Sequence, residues 1–359
     1  MKILILINSL GTGGAEKLVV ETIPLLIKNG IEVELLVLKK LDSIFNNQLE
    51  NAKLCKIHYL TEKSVYNPFL TFKIIPFLKK YDLIHVHLFP SLYWTALAKM
   101  ISFSKIKLVF TEHSTNNRRQ SVFFYKIIDR LLYNQYQRIV AISDSVTEKI
   151  KLHLKFKSKQ FVTINNGINL DNIKNAEICK DPLFKKDNSQ KFIFQFSSFQ
   201  YPKNQKILIR ALLKLPDNFY IFFVGSGILI DECKAYVKEL ELKNKVFFLG
   251  IRSDVPSLLK TADYIVLSSR YEGLSLASIE GMASGKPFIA SDVPGLTEVV
   301  TGAGLLFPQG DYQALANHIL KLDSDADFYN QTVQNCLHRA SDFDIQIMVQ
   351  KHLELYKTL

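Results

Sequence analysis

The feature that most limits what this chain can fold into is an alternation. Short, nearly unbroken apolar runs are separated by segments with helical periodicity. "KILILIN" at the start leads through a glycine-rich turn into "AEKLVVETIPLLIKNG". "EVELLVL", "DLIHVH", "KLVFTEH", "RIVAIS" and "FVTINNG" follow. Runs of this kind read as strands covered on both faces, because a strand with one wet face would alternate. Parallel neighbours need a crossover, which the helical segments provide. After the irregular stretch "NLDNIKNAEICKDPLFKKDNSQ" the pattern restarts with "KFIFQFSSF". It continues through "FYIFFVGSG", "VFFLG", "YIVLSS" and "PFIAS". Two doubly wound α/β domains are therefore expected, over 1–185 and 186–340. An amphipathic helix in 341–359 should pack back on the first. With 359 residues, 48% of them hydrophobic, the chain has material for two cores.

Ligands of such sheets sit at the carboxyl ends of the strands. Two Rossmann-like domains facing a deep cleft would place the chemistry there. No apolar run approaches the roughly 18 residues needed to span a bilayer. The opening apolar run is too short for a signal peptide. Four widely separated cysteines form neither a metal spacing nor a disulfide framework, which fits a reducing, cytoplasmic setting.

The net charge of +11 is unevenly placed: Lys99 to Lys159 holds thirteen Lys or Arg against four acids. A basic face fits nucleic acid, anionic lipid or an anionic substrate. No nucleic-acid motif supports the first. Within this region "SVFFYKIIDRLLYNQYQR" puts Phe123, Phe124, Ile127, Ile128, Leu131 and Leu132 on one helical side. Two readings stay open: a core helix with a solvated basic back, or a helix lying on an anionic membrane surface.

Two stretches bear on chemistry. In "GTGGAEK", Gly11, Gly13 and Gly14 allow close backbone approach before a helix whose N-terminus favours a phosphate or sugar oxygen. The spacing is not the dinucleotide fingerprint. In "SSRYEGLSLASIEGMASGKP", Glu272 and Glu280 are separated by seven residues. Ser275 is a candidate N-cap and Gly285 a candidate helix stop, so a short helix from about Leu276 to Ser284 is expected. Glu272 and Gly273 then lie in the loop before it, and Glu280 one turn inside. The N–H groups of Gly273, Leu274 and Ser275 can cradle a diphosphate. Carboxylates repel phosphate and suit hydroxyls, so the two acids should read polyols on either side of it. A nucleotide sugar has that layout.

These residues resemble glycosyltransferase family 4, retaining enzymes of the GT-B fold. The resemblance runs over nearly the whole chain. It includes the E-x7-E stretch, "GTGGAEK", "TEHS" at Thr111, "INNGIN" at Ile164, "FSSFQYPKNQKILIRAL" and "FLGIRSDVPSLLKTADYIVLSSRYEG". It implies sugar transfer from a nucleoside-diphosphate donor with retention of configuration, in cell-surface glycan assembly. Uridine is the expected base and a glycan or lipid-linked glycan the expected acceptor. The setting would be the inner face of the cell membrane. By the same resemblance Lys203 neutralises the departing diphosphate, Glu272 binds the donor sugar and His113 lines it near the reacting carbon. Glu280 takes the ribose. Gly13 and Gly14 lie by the diphosphate and acceptor, and backbone around Gly250, Ile251 and Arg252 holds the base. No metal or other cofactor is expected, since no Asp-x-Asp pair stands at a strand end. Glu112, beside His113, is a candidate to orient it or face an acceptor; Asp144 has no assigned role.

There are two departures. Relatives often place an Arg a few residues before the phosphate lysine, where this chain reads Ser197-Ser198-Phe199-Gln200-Tyr201-Pro202; Arg252, Arg270 or the Ser198 hydroxyl could compensate. Gly281 stands where relatives usually have Ala, marking close packing or drift. Two other readings compete: a sugar-nucleotide hydrolase or epimerase of this fold, and a non-catalytic sugar-nucleotide-binding subunit.

Overall fold

The structure, a computed structural model, describes residues 1–113, 123–154, 160–185, 187 and 189–359, without the side chains of Phe123 and Phe124. The described residues form two compact units. The first comprises Met1–Gly167 and Ile345–Leu359, the second Ile168–Asp344.

The first unit holds a parallel sheet of β1 (Lys2–Ile7), β2 (Glu32–Lys39), β3 (Lys56–Thr61), β4 (Leu83–His87), β5 (Lys107–Glu112), β6 (Arg138–Ala141) and β7 (Phe161–Thr163). The spatial order is β3-β2-β1-β4-β5-β6-β7. Ile3, Ile5 and Ile7 face helices Gly14–Lys28 and Ile345–Lys357. Leu4, Leu6, Ile84 and Val86 face helices Leu70–Ile74, Ser91–Ile101 and Phe123–Tyr133. Both faces are dry, which is why the strands read as continuous apolar runs.

The second unit holds β8 (Lys191–Phe196), β9 (Phe219–Val224), β10 (Val246–Phe248), β11 (Tyr264–Leu267), β12 (Phe288–Asp292) and β13 (Leu305–Pro308). Their order is β10-β9-β8-β11-β12-β13, again all parallel. One face packs on helices Lys206–Leu212, Ile230–Glu239 and Tyr312–Ser324. The other is an aromatic layer in which Phe194 stacks on Phe222 and Phe222 on Phe247. In each unit the strand order reverses beside the first strand, between β1 and β4 and between β8 and β11. A ligand crevice opens at such a point.

The unit boundaries differ from the expected 185/186 and 340/341. Residues 168–185 belong to the second unit, because Phe184 packs its ring against Phe192, Phe194 and Phe222. Helix Leu170–Lys174 also rests on helices Val255–Thr261 and Leu276–Ala283. Residues 341–344 stay with it too, tied by the Ile168 N–H to the Phe343 carbonyl at 2.9 Å. Helix Ile345–Lys357 packs on helix Gly14–Lys28 within the first unit.

The apolar side expected for the helix around Ile127 divides in two. Leu132 is buried and Ile128 packs on the core, whereas Ile127 is 56% and Leu131 52% exposed. At 100° per residue the four positions span an arc of about 140°, wider than one contact with the sheet layer covers. Among the described residues no helix is long and apolar enough to cross a membrane.

Candidate functional site

The second unit's switch point is built from two loops that leave adjacent strands. Strand β8 ends and the chain runs through Ser197 and Ser198 into the short turn Tyr201–Lys203. Strand β11 ends and the chain runs from Ser268 to Ser275, then into helix Leu276–Ala283. Polar side chains hold the loops together. The buried Ser268 hydroxyl lies 3.2 Å and 3.1 Å from the Lys203 and Asn204 carbonyls, and 3.0 Å from Gln195 Oε1. Gln195 Nε2 donates to the Lys203 carbonyl at 3.2 Å, and Gln205 Nε2 to the Ser198 carbonyl at 2.9 Å. The backbone of Lys203 is thus fixed by residues fully inside the unit.

Its side chain meets the first acid of the pair. Lys203 Nζ lies 2.5 Å from Glu272 Oε1, and Ser269 Oγ donates to the same oxygen at 2.6 Å. The residue expected to act on the departing diphosphate and the one expected to bind the donor sugar therefore stand side by side. The Glu272 N–H is taken by the Pro294 carbonyl at 3.2 Å. The next three N–H groups, of Gly273, Leu274 and Ser275, have no acceptor among the described residues. Ser275 occupies the N-cap position with extended backbone angles, but its side chain makes no capping hydrogen bond, contrary to the expectation from the sequence. The helix end is left with its donors and positive dipole uncompensated, a favourable place for an anion.

Gly295 supports this loop from behind. Its φ is +86°, and a Cβ there would collide with the carbonyl oxygens of Glu272 and Gly273. Glu280 lies one turn into the helix and is buried, so it is not a solvated surface acid. The adjacent Gly281 is a packing glycine: an added Cβ would fall 2.5 Å and 2.8 Å from ring carbons of Phe288 and 3.1 Å from Ile265 Cγ2.

The loop after β10 places Gly250 with its carbonyl accepting from the Gly225 N–H at 2.8 Å. Ile251 is exposed. The Arg252 guanidinium is committed: Nε and Nη2 donate to Asp254 at 2.8 Å and 2.7 Å, and Nη1 lies 3.3 Å from Asp181. These acids raise its pKa further, so it is a neutralised cation rather than a spare one for phosphate.

In the first unit the switch point brings together the glycine loop and a row of histidines. Gly13 is the N-cap of helix Gly14–Lys28 and makes no side-chain cap. The Glu16 carboxylate folds back over Gly11 and Gly13, so a Cβ at Gly13 would collide with it. Desolvation raises the Glu16 pKa. A carboxylate in that position suits a hydroxyl better than a phosphate.

His85 and His87 alternate onto one face of β4, as Thr111 and His113 do at the end of β5. His85 Nε2 lies 2.7 Å from Thr111 Oγ1, and its Nδ1 2.6 Å from the Tyr356 hydroxyl. His87 Nδ1 lies 3.0 Å from His113 Nε2. Helix Ile345–Lys357 adds His352, whose ring centroid is 5.3 Å from that of His85. Burial lowers the pKa of His113 to about 3 and of His352 to about 4, and holds His85 and His87 well below the usual value. His113 is accordingly a neutral hydrogen-bonding group, not a cation. Glu112 points to the other face, where it is buried and accepts from Tyr133 at 2.9 Å. Asp144 is exposed at the start of its helix. Ser114 of "TEHS" lies outside the described residues.

Sequence reasoning missed Gln195, Gln205, Ser268 and Ser269 around Lys203, and His85, His87 and His352 behind His113. The signal was present for some: one glutamine inside "KFIFQF", and two alternating histidines in "LIHVH".

Residues 12–172 match the family model described as Glycosyltransferase Family 4, and residues 180–339 match that described as Glycosyl transferases group 1. Over 309 residues the chain is 30% identical to the N-acetylgalactosamine-N,N'-diacetylbacillosaminyl-diphospho-undecaprenol 4-alpha-N-acetylgalactosaminyltransferase of Campylobacter jejuni, covering 81% of this chain and 80% of that protein. It is 26% identical over 297 residues to the UDP-Gal:alpha-D-GlcNAc-diphosphoundecaprenol alpha-1,3-galactosyltransferase of Escherichia coli, covering 77% and 76%. The crystal structure of Anabaena HepE in complex with UDP and glucose aligns with a TM-score of 0.86 at 24% identity, over all of both chains. WaaG, a glycosyltransferase involved in lipopolysaccharide biosynthesis, aligns with a TM-score of 0.75 at 15% identity over 99% of each. The last two likenesses speak to the fold.

Proposed function

We propose a specific reaction for this chain, which belongs to glycosyltransferase family 4 and has the GT-B fold: it moves a sugar from a nucleoside-diphosphate donor, with retention of configuration, to a lipid-linked glycan. The observation that carries the donor reading is the β11 loop. Three consecutive N–H groups without acceptors among the described residues stand at a helix N-terminus, between Glu272 with its Lys203 partner and the buried Glu280. A diphosphate fits the N–H groups, and hydroxyls fit the carboxylates.

In this reading Glu280 accepts from the ribose and Glu272 from the transferred sugar. Lys203, held by Glu272 before the donor arrives, turns its charge on the diphosphate as the glycosidic bond breaks. Its effect grows with the charge on the leaving group, which is the condition for lowering the barrier. The resemblance to the family supports front-face attack, with the leaving phosphate taking the acceptor proton. It also supports a contact between neutral His113 and a hydroxyl of the transferred sugar. Lys203 and the N–H groups are the charges offered to the leaving group, so turnover in EDTA is expected.

The donor is a UDP-sugar in this proposal; the HepE complex with UDP and the named UDP-Gal enzyme support that base. The two curated relatives act on diphospho-undecaprenol compounds by name, which supports a lipid-linked acceptor. Such an acceptor requires the enzyme at the inner face of the membrane. Exposed Ile127 and Leu131 on a basic helix, with Phe103 90% exposed at the end of a neighbouring helix, support peripheral binding to anionic lipid.

The test is a thermal-shift screen of nucleoside diphosphates and their sugars, followed by transfer to polyprenyl-diphosphate-linked acceptors. Stabilisation by a UDP-sugar and an α-linked product from an α-donor are expected. Donor hydrolysis with no acceptor requirement would instead favour a hydrolase. Failure to sediment with vesicles containing anionic lipid would remove the membrane step alone.

A further inference from the structure

We propose that Arg270 is a second cation for the donor diphosphate, working beside Lys203. The inference rests on the donor reading above and extends it to a residue outside that scheme.

Three cations in the loops at the carboxyl ends of the second unit's strands differ in state. Lys203 is paired with Glu272, and Arg252 is divided between Asp254 and Asp181. Arg270 stands three residues past the end of β11, against the turn that carries Lys203. Its N–H donates to the Pro202 carbonyl at 2.7 Å. Its guanidinium lies over the Tyr201 ring, 4.7 Å from the centroid, and Nη2 donates to Asn204 Oδ1 at 3.2 Å. Arg270 therefore grips residues on both sides of Lys203 in the chain. Among the described residues no carboxylate lies within ion-pair distance of it, and its Nε is buried without an acceptor.

A half-buried guanidinium offers five N–H donors, and this one uses a single side-chain bond. Leaving such a group without a counter-charge disfavours the unliganded state. Placing it where an anion docks resolves that cost. Contact with Tyr201 occupies one face of the plane and leaves the N–H edge for in-plane bonds, the geometry that suits phosphate. Ser198, in the stretch where relatives often carry an Arg, has no charge to give. Arg270 brings one from the neighbouring strand. A competing role is a brace that only shapes the 201–204 turn.

The experiment compares wild type, Arg270→Gln and Arg270→Lys by calorimetric binding of UDP and UMP, with ADP and AMP and GDP and GMP in parallel. A cation at the outer phosphate predicts that Arg270→Gln loses roughly ten- to a hundredfold of the preference for diphosphate over monophosphate. Monophosphate affinity should stay within about twofold. Arg270→Lys should recover part of the preference, since it restores the charge without the fork. Equal loss of mono- and diphosphate affinity would identify a brace and overturn the proposal, as would an unchanged preference. If wild type binds no nucleoside diphosphate, the donor reading itself fails, a result distinct from either.

Discussion

Replacing Lys203 by Ala perturbs the candidate site in two separable ways. The first concerns stability. At 2.5 Å the Lys203–Glu272 pair has a gross attraction of about 7 kcal/mol at an effective dielectric of about 20. Desolvation offsets most of it, because the side chains are only 20% and 9% exposed. Ser269 still donates to Glu272 when the lysine is gone. A net loss of about 2 kcal/mol is expected, between the values for surface and fully buried pairs. Urea unfolding of the single variants and of Lys203→Ala with Glu272→Ala isolates the pair, with a coupling of about 1–2 kcal/mol expected. The second effect is catalytic. Removing a charge that acts on the leaving group should lower kcat by about a hundred- to a thousandfold. The apparent donor affinity should change by less than about tenfold. Stopped-flow single turnover at saturating donor measures the step, and UDP-sugar binding measures the ground state. Equal losses in turnover and donor affinity would refute the transition-state role. A coupling near zero would refute the pairing.

Glu280→Ala should weaken UDP binding by about tenfold and erase the preference for UDP over 2′-deoxy-UDP; a retained preference would remove Glu280 from the ribose. Gly281→Ala should destabilise the second unit by about 1–2 kcal/mol in urea unfolding. Overpacking against Phe288 and Ile265 outweighs a helix-propensity gain of about 1 kcal/mol, and a stabilised variant would contradict this packing. The buried histidines predict an acid limb. His85, His87, His113 and His352 all have lowered pKa values, so the unfolded chain binds protons that the folded chain does not as pH falls below about 6.5. Their contribution is complete above that value and is lost toward pH 4 and below. The Tm should fall between pH 7.5 and 5.5, and His352→Gln should shrink the drop; a flat profile would count against the cluster.

The strands buried on both faces were legible because parallel-sheet cores write themselves as unbroken apolar runs. The edge strands β3 and β13 were not. "KIHYLT" is only partly buried along its length, and "LLFP" is short and ends in an exposed proline. An edge strand packs against one neighbour and need not be apolar throughout. The domain boundary was misplaced for a similar reason. The polar segment before Lys191 looks like a linker, yet Phe184 in its midst inserts into the second unit's aromatic layer. One aromatic in a polar stretch does not announce which core it joins.

By itself the sequence determined the fold class, the pair of doubly wound units and the order of the glycine loop, Lys203, Glu272 and Glu280 along the chain. Those are local facts: a run of apolar residues, a turn, a helix start. Only the tertiary structure decided which groups share a charge balance. Lys203 and Glu272 are separated by 69 positions and meet because β8 and β11 are neighbours in the sheet. Ser275 makes no capping bond to the helix it starts, and among the described residues the N–H groups of Gly273, Leu274 and Ser275 also lack acceptors. Arg252 is neutralised and Arg270 is not, although both looked alike as arginines in loops. Electrostatic pairing depends on distances across strands, and the order of residues along a chain does not contain them.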